Sequence, residues 1–226
     1  MKFLLASVAV FAFTAPSNAA DDIVPVTSVY DWSGAYIGVH AGGGWGDADF
    51  VPAGGVPPPA SISIDGFFGG AQAGYDWQTG NWVLGGVVDV SISGIDGAGA
   101  CPGGAGPAGF TCTADIDWLA TARLRAGYAF DNVLVYATGG LSVSDVTYAA
   151  FATATGIPVA PGEKDVVAGF NIGLGAEMAF NEKWSADLHY LYHNFANTGL
   201  TVANFGAAGT GRFDLHTVQF GLNYRF

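Results

Sequence analysis

Apolar and polar residues alternate at every second position in eight stretches of this chain, at about 33–46, 62–77, 82–95, 114–130, 133–147, 165–180, 184–198 and 211–226. Period two is the side-chain period of an extended strand, so each stretch presents one oily face and one polar face. The connections are of two kinds. Three are tight, at 78–81 (QTGN), 131–132 and 181–183, and four are long and rich in Gly, Pro and Ala, at 47–61, 96–113, 148–164 and 199–210. Because the two kinds alternate strictly, an antiparallel up-and-down meander puts every turn at one end and every loop at the other. An even strand count also returns both chain ends to the turn side.

The surroundings of this meander follow from its faces. In 115–130, Asp115, Asp117, Thr121, Arg123 and Arg125 share one side, while Ile116, Trp118, Ala120, Ala122, Leu124, Ala126, Tyr128 and Phe130 share the other. A soluble domain carries about 25% charged residues. This chain carries 12%, against 50% hydrophobic residues, so much of its surface faces something other than water. Helical spans are ruled out by the lack of an 18-residue apolar run past the N-terminus and by 35 glycines, each unfavourable in a helix. Aromatics gather beside the tight turns (Tyr75, Trp77, Trp82, Tyr128, Phe130, Phe180, Trp184, Tyr224, Phe226), as in a membrane-interface girdle. A lipocalin-type soluble barrel would need an apolar interior, whereas this inward face carries a charge set. The expected fold is all-β, an eight-stranded antiparallel up-and-down transmembrane β-barrel.

Residues 1–19 have the basic start, apolar run and small-residue end of a secretory signal peptide. Residues 20–31 are expected to be a short periplasmic lead and 32–226 the barrel, placed in the outer membrane of a cell with two membranes. A net charge of −12 argues against nucleic acid as a partner. Cys101 and Cys112, in an exported chain, are expected to form a disulfide that pins one loop. In the closing strand Val218, Phe220, Leu222, Tyr224 and Phe226 fall on the lipid side, and Thr217, Gln219, Asn223 and Arg225 on the lumen side.

Three stretches carry a family resemblance: YDWSGAYIGVHAGGGWG (30–46), GFFGGAQAGYDWQTGNWVLGG (66–86) and the close VQFGLNYRF (218–226). They resemble the small outer-membrane β-barrel proteins of α-proteobacteria, a family with a porin-like label that includes major surface outer-membrane and hemin-binding proteins. The resemblance covers essentially the whole mature chain. It implies localisation and fold, with structural, adhesive or hemin-binding roles differing between members. It also implies that Phe220, Leu222, Tyr224 and Phe226 form the signal recognised by barrel-assembly machinery.

The inward ionisable set, Asp89, Asp117, Arg123, Arg125, Glu177, Asp187, His189 and Arg225, is the strongest chemical feature. An eight-stranded barrel is only wide enough to be filled by side chains, so these charges are expected to pair with one another, a narrow ion path being the alternative. A wide sieve is excluded at this strand number. Hemin, the one cofactor considered, would want an axial His or Tyr. Parity turns His40, His189 and His193 inward and His216 outward, leaving Tyr148, Phe151 and Phe205 as external contacts. Asp187 and His189 share a face, yet no serine follows at a hydrolase spacing, so no enzyme is expected, and no metal. The expected role is outer-membrane structure and surface interaction, with outer-membrane lipid, lipopolysaccharide and a host or extracellular ligand at the loops as partners. A surface hemin or host-ligand receptor is the alternative, and a narrow ion channel comes third.

Overall fold

The computed structural model describes residues 30–52, 60–101, 109–198, 201–202 and 207–226. The predicted signal peptide and nearly all of the 20–31 lead lie outside the described residues. The strands are β1 Gly34–Pro52, β2 Ala60–Thr79, β3 Trp82–Ala100, β4 Phe110–Phe130, β5 Val133–Ala152, β6 Pro158–Ala179, β7 Trp184–Thr198, β8 Thr201–Val202 and β9 Ala207–Arg225. β8 prolongs β7 along the same edge of β9, since Thr198 pairs with Gly211 and Thr201 with Ala208. Among the described residues, then, eight antiparallel staves close a ring through the β1–β9 pairing, from Tyr36↔Arg225 to Pro52↔Gly209.

Followed once round, the pairings run Met178, Ala186, Leu222, Val39, Ala71, Val90, Ala120, Val143 and Ala168. They return to β6 at 168 instead of 178, a stagger of ten residues. Such a stagger tilts the strands by roughly 35–45° and leaves an interior that side chains can fill.

Two of the three tight turns share one device. Asn81 and Asn132 each donate from Nδ2 to the carbonyl of the next strand's end, Ala129 and Ala179, at 2.9 Å. Their own carbonyls accept the Ala129 and Ala179 amides. Gly80, at φ +60°, takes the left-handed position of the first turn, and Asp131, at φ +52°, that of the second. Ahead of β1, the Ser33 amide donates to Asp31 and holds its carboxyl below the usual carboxylate range.

Strands of 15 to 22 residues are longer than the membrane requires, because a tilted strand crosses with about 9–11. The loops expected at 47–61, 96–113, 148–164 and 199–210 are correspondingly shorter, for β1 runs on to Pro52, β2 starts at Ala60, β3 ends at Ala100 and β5 at Ala152. In these extensions, β4 apart, parity holds while polarity inverts. Near the turns β2 directs Tyr75 and Trp77 outward and Gln72 and Asp76 inward; at its far end it directs Ser61, Ser63 and Asp65 outward and Ile62 and Ile64 inward. Within the bilayer the outside is oil, and beyond it the outside is water, so the same alternation buries opposite chemistries. The extension's apolar core joins Ile62, Ile64, Phe68, Ile95, Ile116, Leu119, Val146, Val167, Phe195, Phe213 and Leu215.

The face assignments of Asp115, Ile116 and Asp117 are corrected. Between Asp115↔Thr147 and Leu119↔Ser144, β4 has one residue more than β5, a β-bulge. Below it Leu119, Thr121, Arg123 and Arg125 point inward; above it Ala114 and Ile116 do. Asp117, expected in the interior charge network, is instead 63% exposed and pairs with Lys164 at 2.8 Å. One added residue moves every later side chain to the other face.

Candidate functional site

The lumen is a stack of tiers. At the turn-side mouth Trp32 is fully buried, its amide donating to Gln78 Oε1 at 2.7 Å, and it packs with Val83, Ala129, Leu134, Tyr136 and Ala179. Arg225 donates to the Trp32 carbonyl and lies 5.5 Å from its ring centroid. The barrel's last inward side chain thereby clamps the chain segment that precedes its first strand.

Above this plug sits a balanced quartet. Asp76 accepts from Arg125 Nε at 2.8 Å, from Arg125 Nη2, and from Arg225 Nη2 at 3.0 Å. Glu177 accepts from Arg125 Nη1 at 2.8 Å, Ser185 at 2.6 Å and Asn223 at 3.0 Å. Tyr36 lies against both guanidinium groups, 4.9 Å from Arg125 and 5.0 Å from Arg225. Two cations thus face two anions, and the carboxylates are fully buried. That balance is the condition under which buried charge is tolerated. Asp76 is the member that sequence reasoning missed. Its signal was its parity with Gln72 and Gly74, obscured by the flanking girdle aromatics Tyr75 and Trp77.

The next tier joins Asp89 to Arg123 at 2.7 Å, and Arg123 Nη1 to His189 Nε2 at 3.2 Å. His189 Nδ1 lies 2.7 Å from Asp187, which also accepts from Tyr136. Since a guanidinium only donates, Nε2 accepts and the ring proton sits on Nδ1, facing Asp187. Of the eight expected interior charges, seven therefore lie buried in these two tiers, and Asp117 lies outside. The Asp187–His189 pair is walled in by Arg123 and Tyr136.

Higher still the tier is uncharged. Gln72 donates to Asn223 at 2.6 Å, His40 meets Ser91 at 2.7 Å, and Asn171 donates to Ser142, which meets His193 at 2.8 Å. The apolar core of the extension then closes the axis, with Phe195 and Phe213 stacked at 4.1 Å. Tyr148, expected as an external contact, packs partly buried against this core, and burial pushes its phenol up to about 12. Phe205 lies outside the described residues. Cys101 and Cys112 are bonded and join the β3 and β4 ends beside Ala150.

On the outer wall, the level of Trp45 is set differently around the ring. Trp45 stacks on His216 at 5.8 Å, and Tyr190 and Tyr192 close round the same imidazole, Tyr190 Oη lying 2.6 Å from its Nδ1. Across β2 to β4 the same rung carries Asp65, Asp96 and Asp115.

Residues 3–226 match the family described as outer membrane protein beta-barrel domain. The chain is 32% identical to the 31 kDa outer-membrane immunogenic protein of Brucella melitensis, over 99% of this chain and 98% of that one. It is 25% identical to a 22 kDa outer membrane protein of Rhizobium leguminosarum, over 89% and 82%. Among solved structures it is similar to OprG of Pseudomonas aeruginosa (12% identity, 89% and 99% covered, TM-score 0.46) and to Neisserial surface protein A (15%, 86% and 98%, TM-score 0.42). With the ring of eight strands, its inverted faces and these relatives together, the chain belongs to the outer membrane protein beta-barrel domain family and is an integral protein of the outer membrane.

Proposed function

We propose that this protein is a sealed barrel with a structural and surface-directed role, which carries a rigid acidic extension outside the cell. The filled axis is the observation that carries this reading: charge-balanced tiers occupy the membrane level and an apolar core stands above them. Conduction needs a continuous polar path, and neither end of this lumen offers one. Outer-membrane lipid and lipopolysaccharide surround the wall. The closing strand, with Phe220, Leu222 and Phe226 exposed outward, fits recognition by barrel-assembly machinery. Partners outside the cell would meet the extension, whose outer face carries Asp47, Asp65 and Asp96. In planar bilayers the refolded chain is expected to pass no steady current, and an epitope inserted between Cys101 and Cys112 is expected to stain on intact cells. Steady current would sink the sealed reading in favour of a narrow ion path, and an unstained epitope would sink the surface role.

One observation favours a second reading, hemin capture at the surface. His216 is the outward histidine, flanked by the flat rings of Trp45, Tyr190 and Tyr192, with no hydrogen bond to its Nε2 among the described residues. Hemin titration of the refolded chain should then give a Soret shift that His216→Ala abolishes.

A further inference from the structure

The lipid-facing wall is not uniform round the ring. On β6, β7 and β9 its outward positions carry bulky side chains, among them Phe170, Ile172, Leu174, Leu188, Phe220 and Leu222. On β2 to β5 several of these positions shrink to glycine or alanine. Two rungs hold them, Ala73↔Val88↔Ala122 and Tyr75↔Gly86↔Leu124↔Gly139. Here the wall is indented by a hollow of about 580 Å³, whose lining includes Ala73, Gly86, Val88, Ala122, Leu124 and Gly139. Ordinary ligand sites hold about 300–1,000 Å³, so the hollow has the size of a site and not of a gap between side chains.

Its height selects the leaflet. Ala73 lies four residues from Trp77 and eight from Asp65, and Gly86 lies four from Trp82 and ten from Asp96. A strand that rises about 3.3 Å per residue and tilts by about 40° gains roughly 2.5 Å of height at each residue. The hollow therefore stands about 10 Å from the aromatic girdle and about 20 Å or more from the acidic residues. Half of a hydrocarbon core of about 30 Å is about 15 Å, so a chain from the turn-side leaflet reaches the hollow and one from the opposite leaflet falls short. Charge selects the headgroup. Among the described residues, the turns beneath these strands, 78–81 and 131–132, hold one charged side chain, Asp131, while Arg123 and Arg125 point into the lumen. An ammonium group complements that carboxylate, and the Trp and Tyr donors of the girdle meet phosphate and ester oxygens. A second copy fits this face poorly, because Asp65, Asp96 and Asp115 on the same strands would oppose their own counterparts.

We propose that this hollow seats an acyl chain of a zwitterionic phospholipid from the turn-side leaflet, whose headgroup lies among Tyr75, Trp77, Trp82, Tyr128 and Asp131. Membrane lipid is as apolar as the wall, so burial from water does not single out one chain. Shape does, for a chain lying in the hollow touches protein on several sides and gains dispersion contacts that a chain on a convex wall lacks. The seat depends on the wall alone, whether or not the lumen passes ions.

The test extracts the full chain from outer membranes in mild detergent, exchanges the detergent and identifies retained lipid by native mass spectrometry. The expected result is one zwitterionic phospholipid per chain. Gly86→Phe puts a ring in the hollow and should lower retention about tenfold or more. A Cβ at Gly86 meets nothing closer than the Arg123 carbonyl oxygen and Leu124 Cδ2, both at 3.8 Å, so the barrel tolerates it. Ala122→Phe, from the neighbouring strand, should act in the same way. Gly94→Phe adds the same ring to β3 outside the hollow, where a Cβ meets only the Phe67 carbonyl oxygen at 3.8 Å, and should retain lipid as the native chain does. Heat-modifiable migration checks that each variant is folded. No lipid on the native chain, or equal retention by Gly86→Phe and Gly94→Phe, would overturn the seat. An anionic phospholipid or lipopolysaccharide in its place would overturn the assigned headgroup and leaflet, and a dimer that Gly86→Phe dissociates would give the hollow to a second copy.

Discussion

Asp76 takes hydrogen bonds from two arginines at once, and Glu177 shares one of them, so no member of the quartet can be removed singly without leaving buried charge unmatched. Asp76→Leu is expected to lower unfolding stability by about 3–5 kcal/mol, read as the urea midpoint for loss of heat-modifiable migration. Adding Arg125→Met should recover part of that loss, because one anion and one cation are then absent together. If the double variant is the weaker of the two, the quartet is not balanced as described. At this scale parity was a good guide: Arg125, Glu177, Asp187, His189 and Arg225 all lie on the side the alternation assigns. It failed for Asp115, Ile116 and Asp117, because the extra residue of a bulge has no mark of its own in a string of Asp, Ile, Asp and Trp. A second residue-level expectation concerns Tyr148, whose folded-state pKa of about 12 lies above the ordinary value. An acid shifted upward contributes its stability below the unfolded pKa of about 10 and loses it as pH rises past that value. The extension should therefore loosen between about pH 10 and 12, and Tyr148→Phe should flatten that dependence in amide exchange of β5 and β6.

Two strand segments within one element, above and below a bulge, obey opposite rules in β4. The bulge leaves the amides of Asp117 and Trp118 without ladder partners, and Asp145 supplies both acceptors while Ser144 Oγ donates to the Trp118 carbonyl at 2.9 Å. Asp145→Ala should then cost about 1–3 kcal/mol through unsatisfied donors. Lys164→Met should cost less, since its ion pairs are half in water. Thermal unfolding of the two variants decides the matter, and the reverse order would mean that the ion pair, not the capped amides, holds the bulge. The turn-side halves of the strands were legible because oily residues on one parity and girdle aromatics at one level have few explanations besides lipid. The outer halves were not, because their Gly, Pro and Ala content resembles loop, and because serine or aspartate outward with isoleucine inward is the ordinary soluble pattern. Reading both halves as one strand requires knowing where the membrane stops.

For the whole molecule the inversion makes two seals of different kinds. The periplasmic one is a local plug, Trp32 held by Gln78 and Arg225. The outer one is a distributed core to which every barrel stave contributes. A plug fixed by a few bonds opens when one residue is removed, whereas a core drawn from every stave only loosens. Trp32→Ala should therefore admit water from the periplasmic side, seen as faster amide exchange in β1 and β9 near Tyr36 and Arg225, and still pass no steady current in planar bilayers. Placing a charge in the outer core instead, as Leu215→Asp, should unfold the extension before it opens a path, because an unpaired carboxylate among Phe195, Phe213 and Ile95 has no cation to meet. Combining Trp32→Ala with the smaller Phe213→Ala leaves that core unfilled without charging it, and is the variant in which current should first appear. Steady current from Trp32→Ala alone would show that the extracellular core does not seal the barrel, and with it the argument that the outer strands fold as a water-facing shell round an oily centre would fall.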